Sequence, residues 1–407
     1  MQLKDLIARK ILNSRGEEAI EVIAETRKGK AFSAAPSGKS RGKYEAEQYS
    51  EKGINASCIF INFLGKILTQ QKTSFEKFED LEKFEDIARK YDRTEEWKII
   101  GGNAIFAAEA AILKAMALDE GKELWQFLNP KPKMLPLPLG NCVGGGEHIK
   151  SEKKADFQEF LLIPQAAHFL DAYFINLQAY KEAKKLFFYN DLGWKGHLTS
   201  ESAIASTLET EKIFQLLNQL RENIKSRFNV NMQLGTDIAA STFYKNNKYS
   251  CKNPPAERSK EEQLKYISSL IKENNLFYIE DPFDEEDFDS FSDLLKENKK
   301  SLICGDDLIC TKQDRLEKAI KQNSINAVII KPNQNGSLLH TKRVVDLAKQ
   351  KGITPIISHR SGETMDTTIS DLAVGWQIPL IKTGILGKER LAKLHRLIKI
   401  ERQLSRK

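Results

Sequence analysis

Short apolar runs alternate with helical stretches through the second half of the chain. Six runs end in residues able to do chemistry: NMQLGTD at Asp237, LFYIE at Glu280, SLICGD at Asp306, NAVIIK at Lys331, TPIISHRS at His359 to Ser361, and IPLIK at Lys382. After the first run the unit repeats roughly every 25 residues, as in parallel strands joined by crossover helices. The pattern predicts an α/β fold containing a β/α barrel.

The first part of the chain follows a different pattern. IEVIAETRKGKAFSAAP predicts a β-hairpin that turns near Gly29, and a polar loop, PSGKSRGKYEA, follows it. Helical periodicity covers three stretches, residues 44–70, 75–92 and 103–118. The segment NPKPKMLPLPLG is dense in proline and predicts a rigid connector. We therefore predict an N-terminal α+β cap domain over residues 1–128, a connector over 129–140 and a C-terminal barrel over 141–407.

The strand-end residues suggest a metal site with a base beside it. β/α barrels keep their active sites at the carboxyl ends of the strands. Three acids meeting there, Asp237, Glu280 and Asp306, repel one another unless a cation lies between them, and oxygen donors favour Mg²⁺. Lys331 beside such a cation can act as a carbon-acid base, because nearby positive charge lowers its pKa. A single acid at a strand end is more often a helix cap, so the prediction depends on the whole set.

Composition excludes several classes of protein. The chain has 407 residues, 41% of them apolar, which is enough to bury a large core. Its net charge of +7 comes from 63 basic and 56 acidic residues that are mostly interleaved, so no nucleic-acid partner is expected. No apolar run reaches the roughly 18 residues that span a bilayer, and no secretory signal is apparent. The five cysteines are scattered without metal-type spacing. We therefore expect a cytoplasmic protein with reduced thiols and no membrane partner.

Seven segments in order make the chain similar to enolases. They are APSGKS (35–40), GGNAIFAAEAA (101–111), FQEFLLIP (157–164), YIEDPFDEEDF (278–288), GDDL (305–308), KPNQNGS (331–337) and SHRSGET (358–364). The resemblance covers nearly the whole chain. It implies an enolase-type barrel with an α+β cap, the glycolytic lyase activity of phosphopyruvate hydratase, two Mg²⁺ ions per site, and a homodimer or higher homo-oligomer.

The resemblance also implies roles for the acids and the two lysines. The ligands of the first Mg²⁺ would be Asp237, Glu280 and Asp306. Lys331 would remove the proton α to the substrate carboxylate, and Lys382 would face that carboxylate and the metal. Ser40, in the cap loop, would close over the substrate and ligate the second Mg²⁺. A dianion formed on an ionised carboxylate needs this fixed positive charge.

The remaining implied roles concern the phosphate and the leaving group. Arg360 and Ser361 would hold the phosphate, for which a guanidinium offers paired donors. His359 would lie beside the reacting centre, and His148 would contribute to catalysis and substrate binding from a second loop. Glu159 would be one of two carboxylates near the leaving hydroxyl.

One position departs from the enolase pattern. YNDLGWKGH matches the stretch that carries the second catalytic glutamate, and Leu192 then stands in its place. A general acid contributes about 10²- to 10⁴-fold in rate, and leucine cannot supply one. Either another acid such as Glu147, Glu159 or Glu201 takes over and 2-phosphoglycerate is dehydrated to phosphoenolpyruvate, or a related phospho- or phosphono-carboxylate undergoes altered elimination. A third interpretation is a catalytically weak relative used as a binding protein.

Two loops carry additional cations. Lys39 and Arg41 stand where small or neutral residues are expected around Ser40, and the loop between His148 and Glu159 is rich in lysine. These charges suit a substrate more anionic than 2-phosphoglycerate, but surface loops often carry lysines without a role. The sequence leaves this choice open.

Overall fold

A computed structural model describes residues 1–39, 42–151 and 153–405. Its N-terminal part combines an antiparallel sheet with helices. The strands are β1 (Asp5–Leu12), β2 (Glu18–Glu25) and β3 (Lys30–Ala34). The helices are α1 (Ile54–Gln70), α2 (Leu81–Arg89), α3 (Gly102–Asp119) and α4 (Leu124–Leu128).

The cap agrees with the sequence pattern in its hairpin and differs in where two helices begin. The helix α2, predicted from residue 75, begins at Leu81. β2 and β3 pair in antiparallel register, and Gly29 in the turn has a φ of 145°. The helix predicted from residue 44 begins only at Ile54, after Gly53. Backbone N–H groups in the preceding segment bond elsewhere: Ala46 donates to Gln334 and Glu47 donates to Glu96. These long-range bonds replace the first turns of the predicted helix.

Eight strands close the C-terminal barrel in the described part of the chain. Around the barrel they are β4 (Leu137–Gly144), β5 (Glu159–Pro164), β7 (Met232–Asp237), β11 (Leu276–Glu280), β12 (Leu302–Gly305), β13 (Ala327–Ile330), β14 (Thr354–Ser358) and β15 (Leu380–Gly384), which pairs with β4. The short strands outside the barrel cycle are β6 (Ile204–Ala205), β8 (Tyr244–Lys245), β9 (Lys248–Lys252) and β10 (Pro255–Arg258). The predicted β/α barrel is thereby confirmed.

The barrel helices complete the alternation of strands and helices. They are α5 (Phe169–Asn190), α6 (Thr210–Phe228), α7 (Lys260–Asn274), α8 (Phe288–Glu297), α9 (Gln313–Gln322), α10 (Pro332–Asn335), α11 (Leu338–Gln350), α12 (Thr368–Gly375) and α13 (Lys388–Leu404). Among the described residues, no helix combines the length and the apolar character needed to cross a membrane.

One barrel strand runs against the others. β5 is antiparallel to both β4 and β7, whereas the remaining barrel pairs are parallel. Because of this reversal, Glu159 at the start of β5 pairs with Asp237 at the end of β7. The first residue of β5 therefore lies on the same rim as the last residues of the parallel strands. Residues 137–140, assigned from the proline pattern to a connector, form the first half of β4.

A compact apolar layer fills the barrel beneath this rim. Its buried members are Leu139, Leu161, Ile163, Tyr278, Cys304, Ala327, Ile329, Ile356 and Leu380. The Tyr278 hydroxyl donates to Glu280 Oε2 at 2.6 Å, so the layer also orients a carboxylate above it. A filled lumen with polar side chains on one rim is the arrangement expected of a barrel enzyme.

Buried polar contacts join the cap to the barrel. Ser37 and Gly362 exchange backbone hydrogen bonds at 2.8 and 2.9 Å, and Asn333 Nδ2 donates to the Pro36 carbonyl. Glu109 of α3 accepts from the Leu338 N–H at the start of α11. These contacts fix the cap loop over the rim.

Glu109→Gln is expected to stabilise the protein at alkaline pH. Glu109 is fully buried, and burial together with the nearby Glu85 raises its pKa well above its usual value of 4.5. As the pH rises, the unfolded chain loses this proton at a lower pH than the folded protein does. The contribution of Glu109 to the free energy of unfolding is therefore fully present below about pH 4.5 and is lost as the pH rises through the folded pKa. Urea unfolding should give the variant a higher free energy of unfolding than wild type at pH 8. At pH 5 the difference between the two proteins should be smaller. A difference that does not change with pH would contradict the raised pKa.

Candidate active site

Lys382, at the end of β15, lies among three buried carboxylates. Its Nζ is 2.7 Å from Asp237 Oδ2, 2.6 Å from Glu280 Oε2 and 3.3 Å from Glu159 Oε2. Burial alone lowers the pKa of Lys382, but these carboxylates raise it well above its usual range. A permanently charged ammonium group thus stands at the centre of the rim.

Lys331 follows β13 and lies beside the next acid. Its ammonium group hydrogen-bonds to Asp306 Oδ2, while Gln334 Nε2 donates to Asp306 Oδ1 at 3.2 Å. Burial lowers the pKa of Lys331, but the Asp306 carboxylate raises it above its usual value. The Lys331 backbone N–H donates to Thr311 Oγ1, which fixes the direction of the side chain.

The predicted metal ligands come from three adjacent strands. Asp237 ends β7, Glu280 ends β11, and Asp306 follows β12; all are buried. Burial raises the pKa of Glu280 well above its usual value, and Asp237 adds to the shift. Glu280 Oε1 has no hydrogen-bond partner among the described residues. A divalent cation with oxygen ligands relieves this repulsion and satisfies that oxygen, so the donor set fits one.

The turn after β12 is held by a further carboxylate. Asp281 accepts from the Asp306 and Asp307 N–H groups at 2.9 and 2.8 Å, and its own φ of 42° is in the left-handed region. Oxygens of these three aspartates lie within 4.8 Å of one another. Burial and the neighbouring Asp306 raise the pKa of Asp307 to about 8. The acidic cluster can therefore bind a metal ion, and Asp281 orients it.

A second group of titratable side chains faces the lysines. His148, Glu159 and Glu201 place ligand-type atoms within 4.8 Å of one another, and His359 Nε2 is 3.4 Å from Glu201 Oε2. Burial raises the pKa of Glu159 well above its usual value despite Lys382. Burial alone would raise the pKa of Glu201 too, but the two histidines lower it. The directions of these two shifts favour a proton on Glu159 over one on Glu201.

Glu201 occupies the place that the sequence alignment gave to Leu192. The Leu192 side chain is 85% exposed in the loop after α5, whereas Glu201 is 3% exposed and accepts from Asn141 Nδ2 at 3.2 Å. The prediction that leucine replaces a site acid is wrong. Glu201 lies in the segment LTSESAIAS, nine residues after Leu192 in the chain. The site has its second carboxylate.

Arg360 extends the site towards the cap. Its guanidinium is buried and pairs with both carboxylate oxygens of Glu45, at 3.0 and 2.9 Å, and with Asn333 Oδ1 at 3.2 Å. Ser361 beside it accepts from Arg15 Nη1 at 2.7 Å and from the Lys39 N–H at 2.9 Å. The two predicted phosphate ligands thus lie together at the junction of cap and barrel.

Sequence reasoning missed Glu45, Asn333 and Arg15. A buried arginine at a strand end requires an acidic partner, and the cap segment KYEAE offered candidates, but the spacing could not single out Glu45. Two positions named in the sequence prediction, Ser40 and Arg41, lie outside the described residues.

Family comparisons cover both parts of the chain. Residues 3–128 match the family model described as "Enolase, N-terminal domain", and residues 132–407 match "Enolase, C-terminal TIM barrel domain". Together they span almost all of the sequence.

Individual relatives agree with the family match. The chain is 36% identical to an enolase of Methanosphaera stadtmanae, over 99% of this chain and 97% of the relative. It is 34% identical to an enolase of Pyrobaculum aerophilum (98% and 96%) and 36% identical to one of Natronomonas pharaonis (97% and 97%). The resemblance, the fold and the predicted enolase-type lyase are thereby confirmed. The chain belongs to the enolase family.

Proposed function

We propose that the protein dehydrates 2-phosphoglycerate to phosphoenolpyruvate. The observation that carries the proposal is that one buried rim brings two lysines and a carboxyl pair together. Lys331 pairs with Asp306, Lys382 Nζ lies 2.6 Å from Glu280 Oε2 and 3.3 Å from Glu159 Oε2, and Glu201 lies beside Glu159. A base and a proton donor within one site are what a stepwise elimination of water requires.

The first step is removal of the proton at C2 by Lys331. The electron pair of the broken C–H bond moves into the substrate carboxylate, which gains a second negative charge. Lys382 is placed to stabilise that charge because it lies fixed among the carboxylates of the rim. Asp237, Glu280 and Asp306 would hold one Mg²⁺ ion and Ser40 would help to hold a second, and the ions would supply further positive charge to stabilise the dianion.

The second step is loss of the C3 hydroxyl. The proton on the Glu159–Glu201 pair passes to the departing oxygen, and water leaves as the double bond forms. Burial lowers the pKa of both His148 and His359, which favours leaving this proton on the carboxyl pair. Arg360 and Ser361 hold the substrate phosphate, with Glu45 fixing the guanidinium.

The alternative interpretations lose their support because Leu192 lies outside the site. Altered elimination and a catalytically weak binding protein were both suggested by a missing acid, and Glu201 supplies a buried carboxyl at that point. Homodimer assembly, cytoplasmic location and the division into domains at residues 128 and 141 stay predictions.

The proposal is tested by incubating the protein with 2-phosphoglycerate and Mg²⁺ in D₂O. NMR follows phosphoenolpyruvate formation and deuterium entry at C2 in the same sample. Formation of product that depends on Mg²⁺ supports the proposal. Deuterium entry without product would point to another phosphorylated carboxylate as the substrate. The absence of both signals would overturn the proposal.

Millimolar Mg²⁺ is expected to raise the melting temperature. A ligand that binds only the folded state stabilises it by mass action, by about 2.7 kcal/mol at a hundredfold excess over Kd. Glu280→Gln should lose most of this shift because the donor set loses a charge. The matched control is Glu297→Gln, in α8 away from the rim, which should keep the shift. A wild-type melting temperature unaffected by Mg²⁺ would contradict the metal site.

A further inference from the structure

Lys39 lies at the end of a cap segment that is anchored to the barrel. Ser37 and Gly362 form an isolated antiparallel bridge, and the Lys39 N–H donates to Ser361 Oγ at 2.9 Å. Asn13 Nδ2 adds a bond to Ser37 Oγ at 2.7 Å. The Lys39 backbone is therefore held over the phosphate-binding end of the proposed site, although its side chain is exposed.

The loop over residues 145–151 is attached mainly to itself. The Gly146 N–H donates to Ala155, and the N–H groups of His148 and Ile149 donate to Gly145 and Gly146. His148 is 3.7 and 3.8 Å from its two carboxylate neighbours, which is beyond hydrogen-bond length. This loop nevertheless carries an imidazole into the site, so its position matters.

The Lys39 side chain crosses from the anchored segment to this loop. Its Nζ donates to the Glu147 carbonyl oxygen at 2.8 Å, one residue before His148. The other hydrogen bonds of residues 146–151 stay within residues 145–158. Among the described residues, the Lys39 bond is therefore the only one that ties this loop to another part of the chain. The contact uses a backbone acceptor, which depends on loop position and not on the identity of residue 147.

We propose that Lys39 is a positioning residue that fastens the His148 loop to the phosphate-binding segment. The expected effect of Lys39 on kinetics rests on the proposed function. Its effect on the position of the loop follows from the hydrogen bond alone. Fastening increases the fraction of molecules in which His148 already faces Glu159 and Glu201. A substrate then binds without having to order the loop.

The test compares three substitutions by hydrogen exchange and mass spectrometry. Lys39→Met removes the donor while keeping the length of the side chain, and Lys39→Arg restores a donor. Lys150→Met is the matched control, because it removes one positive charge from the same cavity and breaks no hydrogen bond between described residues. Amides of residues 146–149 should exchange about threefold to tenfold faster in Lys39→Met, as expected for one lost hydrogen bond. Exchange in Lys39→Arg and Lys150→Met should stay close to wild type.

Kinetics then separate positioning from charge. In Lys39→Met, KM for 2-phosphoglycerate should rise about threefold to tenfold while kcat stays within about twofold of the wild-type value. In Lys39→Arg, KM should return close to the wild-type value. Unchanged loop exchange in Lys39→Met, or equal acceleration in Lys150→Met, would overturn the proposal. If the wild type does not turn over 2-phosphoglycerate, the proposed function fails, while the exchange result still decides the role of Lys39.

Discussion

Lys331→Ala is expected to lower the rate of 2-phosphoglycerate dehydration by about 10⁴-fold, the upper end of what a positioned base contributes. Lys331 follows the apolar run of β13 at the rim. Burial lowers its pKa and the Asp306 carboxylate raises it above its usual value, while Arg360 and Lys382 oppose that rise. No other described lysine shares this position beside Asp306. Deuterium entry at C2, followed by NMR in D₂O, should disappear together with product.

The same variant should still bind Mg²⁺, because the three carboxylates remain. Calorimetric titration checks this, and it distinguishes a lost base from a collapsed site. Lys312→Ala is a suitable control, since Lys312 is half-buried at the start of α9 and outside the site. Deuterium entry at the wild-type rate in Lys331→Ala would rule out Lys331 as the base.

Local pattern predicted the barrel because its strands are short, apolar and regularly spaced. Each run that ended in a chemical residue did form a strand or a strand end, from Asp237 through to Lys382. The periodicity of α3 was equally informative, and the predicted stretch 103–118 falls within the observed helix. In these segments the apolar residues that produce the sequence pattern are also the residues that pack in the core.

Long-range contacts account for what the sequence did not predict. The helix predicted from residue 44 is replaced by a loop whose N–H groups bond to the barrel and to residue 96. The direction of β5 depends on its pairing with two neighbours, which periodicity does not report. Glu45 meets Arg360 across 315 positions of sequence. None of these features has a local signal.

The error at Leu192 has a specific structural origin. Asp191 accepts from Ser206 Oγ and from the Thr207 N–H, at 2.8 and 2.7 Å, and so closes a loop that begins directly after α5. Leu192 projects from that loop into solvent, and Glu201 enters the site near its end. An alignment that looks for the glutamate immediately after the helix reaches the start of the loop and misses the acid.

Glu201→Gln should separate the two halves of the reaction. The substitution keeps the size of the side chain but removes a carboxyl from the pair that holds the proton for the leaving hydroxyl. Phosphoenolpyruvate formation should fall by about 10²- to 10⁴-fold, while deuterium still enters at C2 because Lys331 and Lys382 are untouched. The measurement is the same NMR experiment in D₂O, with both signals integrated over time.

Leu192→Ala is the control that makes this result decisive. Since Leu192 is exposed, its truncation should leave both signals within about twofold of wild type, as surface substitutions usually do. Equal loss of exchange and product in Glu201→Gln would mean that Glu201 supports proton removal as well. A normal product rate in Glu201→Gln would show that Glu159 suffices as the donor, because burial keeps its proton in place without a second carboxyl. The three outcomes assign the leaving-group proton to the pair, to the whole site or to Glu159 alone.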